Sequence, residues 1–379
     1  MERIKLIYVI STVDFSYGMK WLALHMPREK YDVTFVFLYH KEPALHAYLL
    51  EREIASVYIR YNGKYDLPRI IFQLFKLFKK IKPHIVHPHL FEASIAGIIA
   101  ASLAGVPVIL YTRHHASLHH DNFPNAVKYD RWLNKNAQKI IAISENVKTI
   151  LIDQDKADPE KVVLVHHGFD FSEFVINVQE IEKLKKKYNL GNHHPVVGVI
   201  SRFTHFKGVQ YIIPAFKELL KKHPDAVLVL ANAIGDYRST IIKLLEDLPV
   251  ASYRLIEFEQ NVFALYRCFD VFVHTPINMQ VEAFGQIYIE AMALEVPVVC
   301  TLSGIAFEFI KDRDNAIVAP FCDSHFITVG MEEILGNSTL RNEMVAKANS
   351  AVVKLFDVKQ MIDKYDNLYR SMLAERQGK

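Results

Sequence analysis

The sequence contains few cysteines and little net charge. Its 379 residues include three cysteines, Cys268, Cys300 and Cys322, and none of them stands in a CxxC pair. This number and spacing disfavour a disulfide scaffold and a cysteine-rich zinc site, and they indicate a protein of a reducing cytoplasm. The formal net charge is only +3. Because nucleic-acid-binding domains are usually strongly basic, we expect no nucleic-acid partner.

Two common phosphate-binding motifs are also missing. No GxGxxG segment follows either of the strands that begin the two halves of the chain, at 4–10 and 196–201. This absence disfavours a nicotinamide-dependent dehydrogenase, because that motif holds the diphosphate of the dinucleotide. The chain also lacks a GxxxxGK[ST] segment, which excludes the P-loop kinases.

The sequence has no uninterrupted segment that we expect to span a membrane. Residues 93–111 carry no charge and are numerous enough to cross a bilayer. However, Pro107 lacks an N–H donor and disfavours helical geometry at the preceding residue. The pattern therefore predicts a buried helix over about 93–104 and a buried strand over 106–111. The apolar run 6–10 is short and predicts a first strand rather than a signal peptide.

Strands and helices alternate through most of the chain. Strands that are apolar on both faces, separated by helices, are typical of parallel sheets covered by helices. The chain also exceeds the roughly 250–300 residues at which a single core stops growing. We therefore predict an α/β protein of two doubly wound, Rossmann-like domains whose strand carboxyl ends face a common cleft. The predicted parts are a first domain at 1–170, a linker at 171–195, a second domain at 196–357 and a C-terminal helix at 358–379 that crosses back to the first domain.

A candidate anion site follows the first strand of the second half. After residues 196–200 the sequence reads SRFTHFKG and continues into a predicted helix. Arg202 offers a forked guanidinium and Lys207 an ammonium group, beside the N–H groups of a helix N-terminus, and this combination binds anions. The alternative is that both side chains are solvated loop cations.

The segment EAFGQIYIE places two acids, Glu282 and Glu290, eight residues apart. On one continuous helix they would lie about 12 Å apart along the axis, whereas a retaining glycosidase needs its carboxylates at about 5 Å. We instead expect the helix to begin at Phe284-Gly285, with Glu282 in the preceding loop and Glu290 on the second turn. The acids would then contact different parts of one elongated, hydroxyl-rich ligand. The alternative is a loop acid and a capping acid without a ligand.

Several segments, in their order along the chain, are similar to those of one family. EAFGQIYIEAMALEVPVV resembles the E-x7-E segment of the family 4 retaining glycosyltransferases, which have the GT-B architecture. ISRFTHFKG resembles the donor-phosphate segment of that family, VHHGFD its hinge and LYRSML its crossing helix. KPHIVHPH and GVPVILYTRHH resemble the buried strands and histidine loop of its acceptor domain. The resemblance extends over nearly the whole chain.

This resemblance implies roles for the candidate residues of the second domain. Arg202 and Lys207 would hold the diphosphate of a nucleotide-sugar, and Glu290 would bind its ribose. Glu282 and the backbone amides near Phe284-Gly285 would contact the transferred sugar. Glu282, Arg202 and Lys207 would thus serve the transfer itself, together with His114 of the first domain.

In the first domain the resemblance implies that Gly18 approaches the diphosphate and that His114 lies near the reacting sugar. The chain departs from the family at several positions. Tyr17 precedes Gly18 where a glycine pair is usual, and His167 replaces the asparagine of the hinge. Glu295 stands where a helix-ending glycine is common, and a left-handed backbone there would cost roughly 1 kcal/mol. These departures leave the fold intact and the specificity unassigned.

Four histidines lie within seven residues, in the segment HHASLHH at 114–120. His115 and His119 would share a helix face, but no cysteine or carboxylate ligand stands beside them, so we predict no metal and a loop of exposed histidines. Asp153-Gln154-Asp155 and Asp312-Arg313-Asp314 resemble the metal-binding DxD of the other glycosyltransferase fold. We expect both of these in solvated turns.

The resemblance implies a retaining, hexosyltransferase-type enzyme of the cytoplasm that acts in polysaccharide biosynthesis. It would move a sugar from a UDP- or GDP-sugar to a hydroxyl group of a glycan or lipid-linked acceptor, without a cofactor. One alternative is a GT-B nucleotide-sugar epimerase, which needs no acceptor. Another is a non-catalytic protein that binds a nucleotide-sugar or glycan. The sequence assigns neither the base, the sugar, the acceptor nor the oligomeric state.

The segment 68–82, PRIIFQLFKLFKKIK, combines apolar bulk with five cations. This composition is typical of helices at a membrane interface. One expectation is therefore peripheral contact with the inner face of an anionic membrane. The alternative is that the helix only covers the sheet while its lysines face water.

Overall fold

The computed structural model describes residues 3–175 and 177–377, and in it the chain forms two compact units. The first comprises Met1–Asp170 with Phe356–Lys379, and the second comprises Phe171–Leu355. The predicted linker, 171–195, is grouped with the second unit. Ile176 within it, and the first two and last two residues of the chain, lie outside the described residues.

The first unit contains a parallel sheet of seven strands in the order β3-β2-β1-β4-β5-β6-β7. Its strands are β1 (Ile4–Ser11), β2 (Tyr31–Tyr39), β3 (Ala55–Arg60), β4 (Ile85–His89), β5 (Val108–Arg113), β6 (Lys139–Ala142) and β7 (Val162–Leu164). The helices between them are α1 (Tyr17–His25), α2 (Ala44–Leu50), α3 (Leu67–Ile81), α4 (Phe91–Ala104), α5 (Leu118–Asn122), α6 (Val127–Asn136) and α7 (Glu145–Thr149).

The central strand β1 shows why this sequence forms a covered sheet. Its side chains from Leu6 to Ile10 are at most 1% exposed. The strand lies between β2 and β4, and α4 packs against it. A strand without an exposed face needs a continuous apolar run, because an unpartnered polar side chain would be costly in that position.

The charge-free segment 93–111 forms a helix and a strand, as predicted. Helix α4 ends at Gly105, whose φ of +75° suits a left-handed helix end. Strand β5 begins at Val108, two residues later than predicted. Pro107 cannot donate a backbone hydrogen bond, whereas the N–H of Val108 donates to the carbonyl oxygen of His84. Among the described residues, no helix is both long and apolar enough to cross a membrane.

The second unit contains a parallel sheet of six strands in the order β10-β9-β8-β11-β12-β13. Its strands are β8 (Val196–Ile200), β9 (Val227–Ala231), β10 (Tyr253–Ile256), β11 (Val271–His274), β12 (Val298–Cys300) and β13 (Ile317–Val318). The helices that begin in this unit are α8 (Val178–Lys187), α9 (Val209–Leu219), α10 (Arg238–Leu245), α11 (Val262–Tyr266), α12 (Gln286–Ala293), α13 (Ala306–Phe309), α14 (Ser324–Gly336) and α15 (Ser338–Phe356).

Each sheet has a point at which the strand order reverses. In the first sheet the chain leaves β1 toward β2 and β3, then returns to β4 on the other side of β1. In the second sheet β8 and β11 are related in the same way. The loops that follow two such strands diverge and leave a crevice at the carboxyl edge, where ligands of doubly wound folds bind. The predicted two doubly wound sheets are therefore confirmed.

The C-terminal helix, α16 (Val358–Gln377), packs on the first unit, as predicted. The buried hydroxyl group of Tyr369 lies 2.9 Å from that of Tyr8 on β1 and 2.6 Å from Nδ1 of His87 on β4. Asp366 accepts hydrogen bonds from the Tyr31 hydroxyl and from Nζ of Lys30, both at 2.8 Å. These polar contacts, of which those of Tyr369 are buried and that of Lys30 is partly exposed, join the helix to the strands.

Candidate active site

The loop after β8 brings a cation to the switch point of the second sheet. Arg202 is exposed, whereas Phe203 is fully buried and anchors the loop. A short 3₁₀ turn, His205–Lys207, leads to Gly208 at the start of α9. Gly208 has a φ of +76°, and a Cβ atom there would lie 1.7 Å from the carbonyl oxygen of Thr275. Only glycine permits this approach of the loop to the end of β11.

Lys207 lies against an acid from the loop after β11. Its Nζ is 2.5 Å from Oε1 of Glu282, and Nε2 of His274 is 3.1 Å from the same oxygen. Burial alone would raise the pKa of Glu282, but the charge of Lys207 and the hydrogen bond from His274 hold it at about 2. Burial lowers the pKa of His274, so the imidazole is neutral. Because an ionised carboxylate only accepts hydrogen bonds, Nε2 of His274 carries the proton.

Sequence reasoning placed Glu282 and Lys207 in strand-following loops but missed His274. The sequence does indicate this residue, because His274 is a polar side chain at the carboxyl end of the buried, otherwise apolar strand β11. Polar residues at the carboxyl end of such a strand are candidates by the same rule that selected Lys207.

The loop that carries Glu282 ends at Gly285, and α12 starts at the next residue, as predicted. Gly285 has a φ of +90°, and a Cβ atom there would lie 2.7 Å from the ring of Tyr288. Gly304 faces the same loop, because its Cβ atom would lie 2.6 Å from the carbonyl oxygen of Phe284. The glycines thus hold the loop close to its neighbours and leave backbone N–H groups at the start of a helix.

Glu290 lies on the second turn of α12 and is partly buried. The hydroxyl group of Tyr266 donates a hydrogen bond to its Oε2 at 2.9 Å. Burial raises the pKa of Glu290 to about 7, although the tyrosine lowers it. The second unit therefore presents two acids of opposite character, since Glu282 is firmly ionised and Glu290 titrates near neutral pH.

In the first unit, Gly18 lies in the first turn of α1 rather than in a loop. The side chain of Ser16 accepts a hydrogen bond from the N–H of Met19 and caps this helix. The nearest contact of a Cβ atom at Gly18 would be Oγ of Ser16, at 3.9 Å. The glycine therefore leaves open space at the helix start, beside the carboxyl end of β1.

His114 follows β5 and contacts two other imidazoles. Its Nε2 lies 2.9 Å from Nδ1 of His89, and its ring stacks on that of His167 with centroids 5.4 Å apart. Burial holds the pKa of His114 and His89 well below the usual value, so both rings are neutral. His167 belongs to the segment VHHGFD. Sequence reasoning missed His89, which is buried at the end of β4.

The predicted loop of exposed histidines is wrong. Nδ1 of His119 lies 2.7 Å from Oδ2 of Asp130, a buried acid on α6. His120 is paired in the same way with Asp155, at 2.7 Å. Asp155 belongs to the segment predicted as a solvated turn, yet it is only 2% exposed. The acids were missed because they come from segments that follow the histidines by 11 and 35 residues.

A cavity of about 680 Å³ lies at the carboxyl edge of the first sheet. Residues that end or follow the four strands β1 to β4 line it, and its walls are largely apolar and aromatic. The lining residues are Thr12, Tyr39, His40, Tyr61, Asn62, Gly63, Lys64, Leu67, Phe91, Glu92, Ile95 and Tyr129. It adjoins the switch point between β1 and β4, where a doubly wound sheet binds ligands.

Two family models match the chain. The model described as glycosyltransferase family 4 matches residues 19–173, and the model described as glycosyl transferases group 1 matches residues 180–351. Together they extend over most of both units.

Relatives and solved structures agree with this match. The capsular polysaccharide biosynthesis glycosyltransferase CapM of Staphylococcus aureus is 26% identical over 320 residues, 82% of each chain. The UDP-Gal:alpha-D-GlcNAc-diphosphoundecaprenol alpha-1,3-galactosyltransferase of Escherichia coli is 24% identical over 325 residues, 81% of this chain and 80% of that one. The Anabaena protein HepE, solved with UDP and glucose, has a TM-score of 0.84 at 18% identity over 97% of this chain and 100% of its own. The chain therefore belongs to glycosyltransferase family 4, has the GT-B fold and is a glycosyltransferase.

Proposed function

We propose that this glycosyltransferase moves a hexose from a UDP- or GDP-sugar to a hydroxyl group of a glycan or lipid-linked acceptor, with retention of configuration. The proposal depends above all on the group formed by Lys207, Glu282 and His274 at the switch point of the second sheet. The names of the relatives support it, since one refers to capsular polysaccharide and another to a UDP-sugar and a diphosphoundecaprenol-linked acceptor.

In this proposal Arg202 and Lys207 bind the diphosphate of the donor. Both follow β8 at the carboxyl edge of the sheet, and Arg202 is exposed to incoming ligand. Negative charge grows on the diphosphate as the bond to the sugar breaks. Fixed cations and helix N–H groups aimed at that charge stabilise the transition state more than the ground state.

Glu282 would accept hydrogen bonds from the transferred sugar, with the backbone N–H groups near Phe284 and Gly285 as further contacts. Its low pKa, about 2, keeps it ionised at every physiological pH. A carboxylate beside the sugar also opposes the positive charge that develops on the ring as the leaving group departs. Lys207 and His274 support this role, because they hold the carboxylate charged despite its burial.

Glu290 would bind the ribose of the nucleotide, because a carboxylate can accept hydrogen bonds from two neighbouring hydroxyl groups. In the first unit, the resemblance alone supports the proposed roles of Gly18 at the diphosphate and of His114 at the reacting sugar. A neutral His114 suits a contact with a hydroxyl group, since an uncharged imidazole can donate or accept one hydrogen bond.

We assign the acceptor to the cavity at the carboxyl edge of the first sheet. Tyr39, Tyr61 and Phe91 contribute aromatic surface, which packs well against the apolar face of a sugar ring. Lys64 lines the same cavity and can pair with an acceptor phosphate. A volume of about 680 Å³ suits a ligand of one or two sugar rings.

The helix α3 begins at this cavity, because its first residue, Leu67, lines it. Its buried stripe of Ile70, Leu74 and Phe78 packs against α4, as expected for a covering helix. The opposite face carries Phe72, which is 55% exposed. Nζ of Lys76 lies over its ring, 4.3 Å from the ring centroid. We propose that this cationic and aromatic face contacts an anionic membrane at the cytoplasmic side and brings a lipid-linked acceptor to the cavity.

The test combines donor binding with transfer. The purified chain is screened by thermal shift against UDP, GDP and their hexose conjugates, because a ligand of the folded state raises the melting temperature. Donors that bind are then incubated with oligosaccharides and with polyprenyl-diphosphate sugars. NMR of the product gives the anomeric configuration, and we expect the configuration of the donor sugar.

Three results would contradict the proposal in different ways. Isomerisation of the donor without acceptor would make the protein an epimerase. Binding without turnover across all acceptors would make it a non-catalytic binding protein. A product of inverted configuration would leave the transfer intact but overturn retention.

A further inference from the structure

The first unit contains a buried cluster of charged residues, Arg113, Asp130 and Asp155. Arg113 directly precedes His114 in the chain. Arg113 is 1% exposed, and its guanidinium lies 2.8 Å from Asp130 and 3.1 Å from Asp155. Both acids are buried. The other partners of these two acids are imidazoles, since His115 and His119 lie against Asp130 and His120 lies against Asp155. Buried carboxylates are retained when they are paired or coordinate a metal, so the groups around them are candidates for a metal site.

Three ligand atoms converge on the same side of Asp130. One imidazole nitrogen of His115, one of His119 and a carboxylate oxygen of Asp130 all lie within 4.8 Å of one another. Oδ2 of Asp130 is 2.7 Å from Nδ1 of His119 and 3.4 Å from Nε2 of His115. Ligand bonds to zinc of about 2.1 Å in a tetrahedron place ligand atoms roughly 3.3 Å apart. The three groups therefore match a zinc ligand set after small side-chain shifts.

We propose that His115, His119 and Asp130 bind one divalent cation of the zinc class, with water as the fourth ligand. Two imidazoles and one carboxylate favour zinc over magnesium, which prefers oxygen ligands. Arg113 contacts the other oxygen of Asp130 and would orient this carboxylate toward the metal, as hydrogen-bonded outer groups commonly do. His115, with 16% of its side chain exposed, gives the ion access from solvent.

The cation would have a structural role rather than a part in sugar transfer. It would join the loop after β5 to α6 and so hold the backbone that carries His114. Binding replaces the hydrogen bond between His119 and Asp130 by two bonds to the metal, and the proton on Nδ1 is released or moves to Nε2. The competing arrangement is that the imidazoles only hydrogen-bond to Asp130, in which case no metal binds.

The test is calorimetric titration of the EDTA-treated protein with zinc chloride, followed by cobalt substitution to record the absorption bands of a tetrahedral site. His119→Asn keeps an N–H group near Nδ1, and His115→Gln keeps one near Nε2, so folding is preserved while the ligands are lost. His120→Gln is the matched control, because His120 pairs with Asp155 and is not a proposed ligand. Circular dichroism confirms the fold of each variant.

We expect one zinc equivalent that binds at least tenfold more weakly to His119→Asn and to His115→Gln but with wild-type affinity to His120→Gln. The chain has 18 histidines, so binding elsewhere is separated by this pattern. Absence of binding to the wild type, or equal affinity in the wild type and both ligand variants, would overturn the proposal. If His119→Asn does not fold, the comparison of His115→Gln with His120→Gln decides alone.

Discussion

Nζ of Lys207 lies 2.5 Å from Oε1 of Glu282, although 75 residues separate the two in the chain. The contact exists because Lys207 follows β8 and Glu282 follows β11, and these strands are neighbours at the switch point of the second sheet. A change of Lys207 therefore also removes one of the charges that lower the pKa of Glu282. The pair also joins the proposed diphosphate contact to the proposed sugar contact.

Replacement of Lys207 by alanine should weaken binding of the nucleotide diphosphate and lower turnover. A hydrogen bond to a charged group contributes about 1.5–3 kcal/mol, which corresponds to a roughly 10- to 150-fold loss of affinity. Calorimetric titration with UDP and GDP measures the loss. Arg202→Ala should show a similar effect.

The control for these variants is Lys217→Ala, which removes a lysine whose partner, Asp247, is itself exposed. This surface pair should contribute little to stability and nothing to binding. If Arg202→Ala and Lys207→Ala bind the diphosphate as tightly as the control, the assignment of the diphosphate site is wrong.

Glu282→Gln and Glu290→Gln should differ in their kinetics. The ribose keeps the same charge throughout the reaction, so loss of the Glu290 carboxylate should mainly raise the KM of the donor. In the proposed function Glu282 contacts the sugar, on which positive charge grows, so its loss should mainly lower kcat. Initial rates at varied donor concentration separate the two effects. Wild-type kcat and KM in both variants would show that neither acid contacts the donor.

The sequence predicted the fold well because the parallel-sheet pattern is local. A run such as Leu6–Ile10 announces a covered strand by itself, and the order of strands and helices then restricts the topology. The ends of helices and strands were predicted less accurately. Strand β5, for example, starts at Val108 rather than at 106, because Pro107 has no backbone N–H to donate.

The sequence could predict candidate site residues only where a single loop identifies them. Lys207 and Glu282 could be named as candidates because each follows a strand. Their partner His274, and the pairing of His119 with Asp130, depend on contacts between separate segments that no local pattern encodes. The raised pKa of Glu290 depends in the same way on burial, which becomes visible only in the folded unit.

Glu295 adopts a φ of +57°, as the sequence predicted for a position where glycine is common. The left-handed conformation costs a residue with a Cβ atom roughly 1 kcal/mol or more. Glycine would remove this strain, but part of the stabilisation would be lost because glycine has more conformational freedom in the unfolded chain. Glu295→Gly should therefore raise the free energy of unfolding by about 0.5–1 kcal/mol. Urea denaturation measures it. A lower midpoint than the wild type would mean that the contact between Glu295 and Arg267 outweighs the strain.

The exposed face of α3 should bind anionic vesicles at low salt. Lys79 and Lys80 are exposed near the end of that helix, and each cation near an anionic surface contributes about 1 kcal/mol. The double variant Lys79→Ala/Lys80→Ala should sediment less with phosphatidylglycerol vesicles than the wild type. The matched control is Lys183→Ala/Lys186→Ala on α8, also an exposed lysine pair. No binding of the wild type at low salt ends the proposal of membrane contact.

Donor binding should depend on pH through Glu290, whose pKa burial raises to about 7. In the proposed function the ionised carboxylate above that pH accepts hydrogen bonds from two ribose hydroxyl groups, whereas the protonated acid below it has lost one acceptor and binds the ribose more weakly. Affinity should therefore fall as pH falls through about 7, by at most tenfold per pH unit.

Donor binding at pH 6.5 should release protons, so the calorimetric enthalpy should vary with the ionisation enthalpy of the buffer. Glu290→Gln has no proton to release and should bind weakly but independently of pH. Glu282 has a pKa of about 2, so Glu282→Gln should retain the pH dependence, which makes it the control. If Glu290→Gln keeps the same pH dependence as the wild type, another group titrates and Glu290 does not hold the ribose.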